Sequence, residues 1–485
     1  MSAILVLAVL TLCLWRFSQR PRGVPPGPWP VLPIIGNFIQ VSSDPVSSFR
    51  KMRKKYGDIF SVYFADRLVI VINGLDNLKE AFVKNGDVFS DRPILFILDL
   101  VTRRKGILGT SGHVWKEQRQ LAMLTLKYLG MGKNVLEGRI KEEVTALVDE
   151  MRKANGEAVD FRHLINTSVS NVISAIVFGR RFDFEDPKFV KIVEILDNTA
   201  ASPLVLGFFP FLHLLPGDLF GFKRLKRDID IVLTDLVDVS IEDHMQHYDE
   251  DNVDDFISVY IKEVKLKERL GETDTSIDIA NLRMVIWNLF LTGTESTATA
   301  ILWLLLYFMH FPEVQNKCFA EIVETIGSDR SICLKDKTDL PYLEATLMEI
   351  LRYADIVPFS AMRGVSKETV FGGYRFPKDV IVLPIIDSVL SDPQIWGDPE
   401  NFRPDRFLDE NGRLVKSEEH IPFFFGPRSC LGESLARMEL FLFVAALIQK
   451  FEFVAVEGRA LPTLKSELGF TQSPKQFEVR AVLRK

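Results

Sequence analysis

The chain lacks most of the features that usually give away a function. Its 485 residues include four cysteines, Cys13, Cys318, Cys333 and Cys430, and none forms a CxxC pair. That usage excludes a disulfide framework and a zinc-ribbon pattern, and points to a reducing compartment. There is no HExxH. His244 and His247 stand in DHMQHYDEDNVDD, an acidic stretch without the central glycine of a calcium loop, and it reads as a solvated face. No GxGxxG follows a strand-like run, and no Walker-type loop occurs, so the sequence shows no nicotinamide, flavin or nucleotide site. A net charge of −6 with only short basic clusters, residues 51–55 and 223–227, excludes the basic face that nucleic acid requires. The interior has no Gly/Ser- or Pro-rich linker, low-complexity tract or fixed-period repeat. The length alone would suggest two to four domains, but the globular part reads as one.

What is abundant is apolar mass. Hydrophobic residues make up 47% of the chain, 37 of them Phe, enough for one large core around a sizeable cofactor. The apolar run AILVLAVLTLCLW, residues 3–15, is followed by Arg16, Arg20 and Arg22. A signal peptide would carry its charge before the run, so residues 1–22 read as a membrane anchor with a basic flank on the cytosolic side. Thirteen helical residues span about 20 Å, short of the roughly 30 Å of a hydrocarbon core. Residues 23–36, with Pro25, Pro26, Pro28, Pro30 and Pro33, read as a stiff extended linker, and 37–485 as the catalytic domain.

Residues 57–64 and 68–72 are β-branched, aromatic runs parted by a turn, and read as a hairpin. The pattern is mainly helical from Asp76 to about Ile326, and short strands are expected at 368–374, 380–382 and 477–483. The fold class is therefore mainly α with a small β region. Residues 285–309 are long and apolar enough to cross a membrane, but Asn288, Thr292, Thr294, Glu295 and Ser296 interrupt them. A carboxylate at mid-bilayer costs on the order of 2.5–3.5 kcal/mol, so this segment reads as a core helix with something polar or reactive beside its midpoint.

The strongest signal is PFFFGPRSCLGE, residues 422–433, with Phe423, Gly426, Arg428, Cys430 and Gly432 at fixed spacing. Five specified residues in ten arise by chance in roughly one sequence in 10,000. A thiolate is a strongly donating ligand that favours O–O cleavage on haem iron. Gly426 permits a tight turn and Gly432 a close approach of backbone to a macrocycle. Arg428 suits a carboxylate partner, and its charge is expected to lower the thiol pKa.

On these residues the chain resembles the cytochromes P-450, in particular the microsomal branch that metabolises xenobiotics and fatty acids. Glu349-x-x-Arg352 and Pro404-Asp-Arg406-Phe407 resemble the family's ExxR and PxRF elements, in which Glu349, Arg352 and Arg406 would form a buried charge triad. Trp115-x-x-x-Arg119 resembles the WxxxR helix. By the same resemblance Arg119, Arg428, Arg363 and Arg92 would hold haem propionates. Residues 292–297, TGTEST, resemble the family's acid–alcohol element, with Glu295, Ser296 and Thr297 passing protons at an unwound turn. Ser296 replaces the usual Thr, and Thr292 the usual Ala or Gly. Phe96, Leu98, Thr292, Val357, Phe359 and Phe470 would line an apolar pocket.

The resemblance implies haem b, O2, and NADPH electrons delivered by NADPH–cytochrome P-450 reductase, with cytochrome b5 as an accessory partner. It also implies an endoplasmic-reticulum membrane location and monooxygenation of lipophilic substrates. Lys116, Lys127 and Lys133 are candidates for the reductase face, and the apolar run 202–222 for a membrane contact or ligand entrance. A haem-thiolate isomerase or dehydratase of fatty-acid peroxides, which needs no reductase, is the rival reading.

Overall fold

The computed structural model describes residues 11, 21–41, 44–131, 134–200 and 205–484. The apolar anchor run, including Cys13, therefore lies outside the described residues apart from Thr11, and so does Lys133. The described residues are mainly helical, with four small sheets, one of which packs into the helical core.

The body is organised around one 32-residue helix, Ile279–His310. Asp278 caps it, its carboxylate accepting the Asn281 N–H at 2.6 Å. Its residues are apolar on nearly all sides because other helices surround it. Chief among these are Arg162–Val177, which packs along it, and Glu433–Lys450. This is the one described helix long and apolar enough to cross a membrane, and most of it is buried inside the protein. The core-helix reading of the sequence holds.

The hairpin is present as Ile59–Phe64 and Arg67–Ile72. The second strand pairs in parallel with Ile381–Pro384, which pairs in turn with Arg363–Gly364. Residues 368–374, expected as one strand, instead form the first half of a hairpin, Thr369–Phe371 against Tyr374–Phe376. Gly372 and Gly373 make the turn at φ 56° and 79°, angles that disfavour side chains with a Cβ. The C-terminal strand Val479–Leu483 pairs with Phe451–Val454 and Ala158–Val159.

Residues 23–36 are not a free spacer. Pro26 O accepts the Ser61 N–H at 2.7 Å and Pro25 O the Ser61 hydroxyl at 2.8 Å. A Cβ on Gly27 would lie 1.8 Å from Ser61 O. Ile59–Phe64 is the outer strand of its sheet, and the prolines, which offer carbonyls without N–H groups, cover that edge.

The triad lies in the body. Arg352 Nε and Nη2 donate to the two Glu349 oxygens at 2.7 and 2.8 Å. Arg406 Nε donates to Glu349 Oε1 at 3.1 Å, and so does the Arg403 backbone N–H at 2.8 Å. Of the two histidines read as a solvated face, His247 is exposed, but His244, on helix Val239–Gln246, is half-buried with Nε2 2.9 Å from the buried Asp255 Oδ2.

Candidate active site

A cavity opens between the long helix, helix Gly112–Tyr128 and the loop 422–432. The loop owes its shape to two backbone features. Cys430 N–H donates to Phe423 O at 3.0 Å and Ser429 N–H to Gly426 O at 3.0 Å, which curls the segment back on itself. Gly426 sits at φ 78°, where a Cβ would lie 2.0 Å from Phe82 O; it packs outward on that backbone and does not line the cavity. Gly432 does line it, and a Cβ there would meet no protein atom within 4 Å. The sulfur of Cys430 thus faces open space just before helix Glu433–Lys450 begins.

Burial pushes the Cys430 thiol up, while the Gly432 N–H, Arg119 and Arg437 pull it down. The expectation that Arg428 acts on the sulfur is corrected. Its guanidinium instead donates to Ser90 O, Ile107 O and Thr110 O at 2.9, 3.0 and 2.5 Å, and lies 3.9 Å over the Trp115 ring.

Four arginines border the cavity. Arg119 and Trp115 are one turn apart on the same helix face, and Arg119 Nη2 donates to Ser429 O at 2.8 Å. Arg92 donates to Leu108 O and Met362 O at 2.8 and 2.7 Å. Arg363 leaves the sheet edge and bonds Ala361 O and, at 3.2 Å, the Ser360 hydroxyl. All these partners are uncharged. Burial and mutual repulsion drive Arg363 well below its ordinary pKa, Arg428 down to about 8 and, by burial alone, Arg92 down to about 10. The Trp115 indole N–H is buried with no partner. Crowded cations and an orphaned donor on one rim call for an anion.

Across the cavity, Thr292, Ser296 and Thr297 line the wall. The expected unwound turn is absent: the helix is continuous, with Thr292 donating to Asn288 O at 2.8 Å and Ser296 to Thr292 O at 3.0 Å. Glu295 is not part of the cavity wall. Its Oε1 accepts from Thr471 at 2.7 Å on another side of the helix. Of the expected pocket residues, Val357 and Phe470 line the cavity together with Leu108, Ile173 and Leu289. Three do not. Phe96 stacks on His213 and Phe222 with ring centroids 5.0 and 5.1 Å away. Leu98 packs against the sheet-side core, and Phe359 meets Phe49 edge-on at 5.5 Å.

Two further residues line the cavity: Asn288, read in the sequence only as part of the long helix's polar midpoint, and Glu439, which sequence reasoning missed. Asn288 Oδ1 accepts the Ile107 and Leu108 N–H groups at 2.9 and 3.1 Å, tying the 106–108 loop to the long helix. Glu439 is fully buried, which pushes its carboxyl up to about 8, and its Oε1 has no hydrogen-bond partner. A lone acid within the apolar stretch LARMELFLF was a signal for it.

A profile of the cytochrome P450 family matches residues 25–481. The chain belongs to the cytochrome P450 family. It is 36% identical to cytochrome P450 2U1 of Homo sapiens, over 99% of this chain and 93% of that protein. To cytochrome P450 2B4 of Oryctolagus cuniculus it is 35% identical over 99% and 98%, and to cytochrome P450 2J5 of Mus musculus 36% over 99% and 96%. It is therefore a cytochrome P450 monooxygenase, an enzyme that uses haem b, O2, and NADPH electrons passed through a reductase. The site fits that group. Gly432 leaves room for a macrocycle at the sulfur, and the arginine rim with the free Trp115 N–H suits two propionates.

Proposed function

We propose that this cytochrome P450 oxygenates lipophilic molecules, such as fatty acids, steroids or xenobiotics, at the cytosolic face of the endoplasmic reticulum. The reading rests on one observation: Cys430 opens into a cavity whose rim is cationic and whose remaining lining is mostly apolar with a few hydroxyls. Cys430 would hold the iron, and Arg92, Arg119, Arg363 and Arg428 with the Trp115 N–H would hold the propionates. Haem ligated by a thiolate supplies the O–O cleavage and oxygen transfer.

The chain's own residues do the rest. Ile107, Ile173, Leu289, Val357 and Phe470 exclude water and bind an apolar substrate through buried area. The hydroxyls of Ser296 and Thr297 stand on the cavity wall, where they can donate a proton, and the Glu439 carboxyl lines the same cavity.

Membrane association has support from the surface. Phe208 and Phe209 turn inward, but Phe211, Leu214, Leu215 and Leu219 are exposed, as are Ile34 and Leu32 near the N-terminus. The first residues of the 202–222 run, 202–204, lie outside the described residues. The anchor at 1–22 and NADPH–cytochrome P-450 reductase as partner, with cytochrome b5 as accessory, complete the proposal. Lys116 and Lys127 are exposed on the helix that carries Arg119 and would meet the reductase.

The test is a panel of fatty acids, steroids and drugs given to the haem-loaded chain with reductase and NADPH. Oxygenated products that require both reductase and O2 are expected. Turnover of fatty-acid hydroperoxides alone, with no NADPH-supported product, would replace this reading with the isomerase one.

A further inference from the structure

Glu295 and Ser296 are neighbours in sequence but leave the helix on different sides. Ser296 lines the cavity, while Glu295 is 8% exposed and turned toward the C-terminal hairpin. That hairpin pairs Ser466–Leu468 with Gln472–Pro474, three residues on each strand. Its turn, closed by the Gly469 N–H on Thr471 O at 2.9 Å, carries Phe470 into the cavity wall.

A two-stranded ribbon of this size is marginal alone, so its position depends on outside anchors. Farther along, Trp303 donates to Gln472 O at 2.8 Å and Arg162 to Pro474 O at 2.7 Å. Beside Phe470 itself, Thr471 Oγ1 donates to Glu295 Oε1 at 2.7 Å, with Ser473 and Thr299 Oγ 3.5 Å from the same oxygen. Thr471 is 2% exposed, so no water competes for its hydroxyl.

We infer that Glu295 is a positioning residue that holds Thr471 and thereby fixes the Phe470 ring in the wall of the substrate cavity. The inference rests on the monooxygenase reading above and assigns to this acid the shape of the pocket instead of the passage of protons. The surroundings of Glu295 agree with an anchoring role. The carboxyl of Asp197, held by Asn166 Nδ2 at 2.8 Å, and the guanidinium of Arg162 act on it from neighbouring helices, and the hydroxyls of Thr299, Thr471 and Ser473 enclose it. Every hydrogen-bonding partner of Glu295 lies on the hairpin or on its own helix, and none is a cavity hydroxyl.

The test uses the full haem-loaded chain and two probes that bind iron directly, bare imidazole and 1-(4-phenylbutyl)imidazole, each titrated spectroscopically. Bare imidazole reads the iron alone, and the long probe also reads the far wall. The ratio of the two affinities therefore isolates Phe470. Phe470→Ala, Thr471→Val and Glu295→Ala are each expected to lower that ratio roughly threefold to tenfold, the size of one lost hydrogen bond or wall contact. The double variant Glu295→Ala/Thr471→Val should lower it no further than either single one, because both remove the same contact.

Glu295→Gln, whose amide oxygen still accepts from Thr471, should stay within about twofold of the parent. If Glu295→Ala fails to fold, Thr471→Val carries the test alone. An unchanged ratio in Thr471→Val overturns the inference. So does a Glu295→Gln enzyme that releases NADPH electrons as peroxide while every ratio stays put, which would return the acid to proton transfer. Failure of the parent to bind bare imidazole would bring down the haem reading and this inference together.

Discussion

Glu349→Gln removes the carboxylate that pairs with Arg352 and one of the two that pair with Arg406, whose Nη1 also lies 3.2 Å from Asp398 Oδ1. In the parent, Glu349 Oε1 accepts from Arg352 Nη2, Arg406 Nε and the Arg403 N–H, and the carboxylate is fully buried. The side chains of Arg352 and Arg406 are only 1% and 4% exposed, so water cannot replace the lost charge. Breaking such a buried set by removing one partner costs about 3–5 kcal/mol. Unfolding entropy scales to about 1 kcal/mol/K for a chain of 485 residues, so the thermal midpoint should fall by about 3–5 °C. Haem content of the purified protein should fall with it, because Arg352 and Arg406 fasten residues 390–401 through Leu390 O, Trp396 O and Asn401 O. The assay is the thermal midpoint by circular dichroism at matched haem loading. A shift below about 1 °C would show that the triad is replaceable and refute the reasoning.

Further outcomes follow from other sites. Gly426→Ala forces a side chain to φ 78° and a Cβ to 2.0 Å from Phe82 O, so the loop must move. Beyond about 1–2 kcal/mol of backbone strain, the haem-bound fraction should drop several-fold, read from the ratio of haem to protein absorbance. Arg363→Ala removes one buried cation from the rim and should speed haem loss to an acceptor globin about tenfold or more, since a charge-assisted hydrogen bond contributes about 1.5–3 kcal/mol. His244 is held above its ordinary pKa chiefly by Asp255, with both ring nitrogens engaged. Its stabilisation is complete below the unfolded value of about 6.5 and is lost as pH rises through the higher folded value. The stability gap between the parent and His244→Phe, measured by urea unfolding, should therefore narrow with rising pH, and a gap that widens would contradict the pairing.

Much of this was legible in the chain because the motif chemistry is local. The loop around Cys430, the Trp115–Arg119 helix face and the Glu349–Arg352 pair each need only short spacings, and the structure brings them to the cavity or to the buried triad. The long helix was readable for the opposite reason: its polar middle made a membrane span too costly. What the sequence hid depends on which way a side chain leaves its element. Glu295 and Ser296 are adjacent letters on a helix that never unwinds, so they diverge by about 100° around its axis. Phe96 and Phe359 found aromatic partners nearer than the cavity. The prolines of 23–36 looked like a spacer because the strand edge that Pro25 and Pro26 cover, about 35 residues later at Ser61, cannot be seen in their composition.

The central claim is that the sulfur of Cys430 binds the iron, and the visible spectrum of the reduced, carbon monoxide-bound protein reads that bond directly. The parent should show the red-shifted Soret band of a thiolate-ligated haem, and Cys430→His should move it to the position typical of imidazole ligation. A parent spectrum of the imidazole type, or the same spectrum in both proteins, would contradict the account.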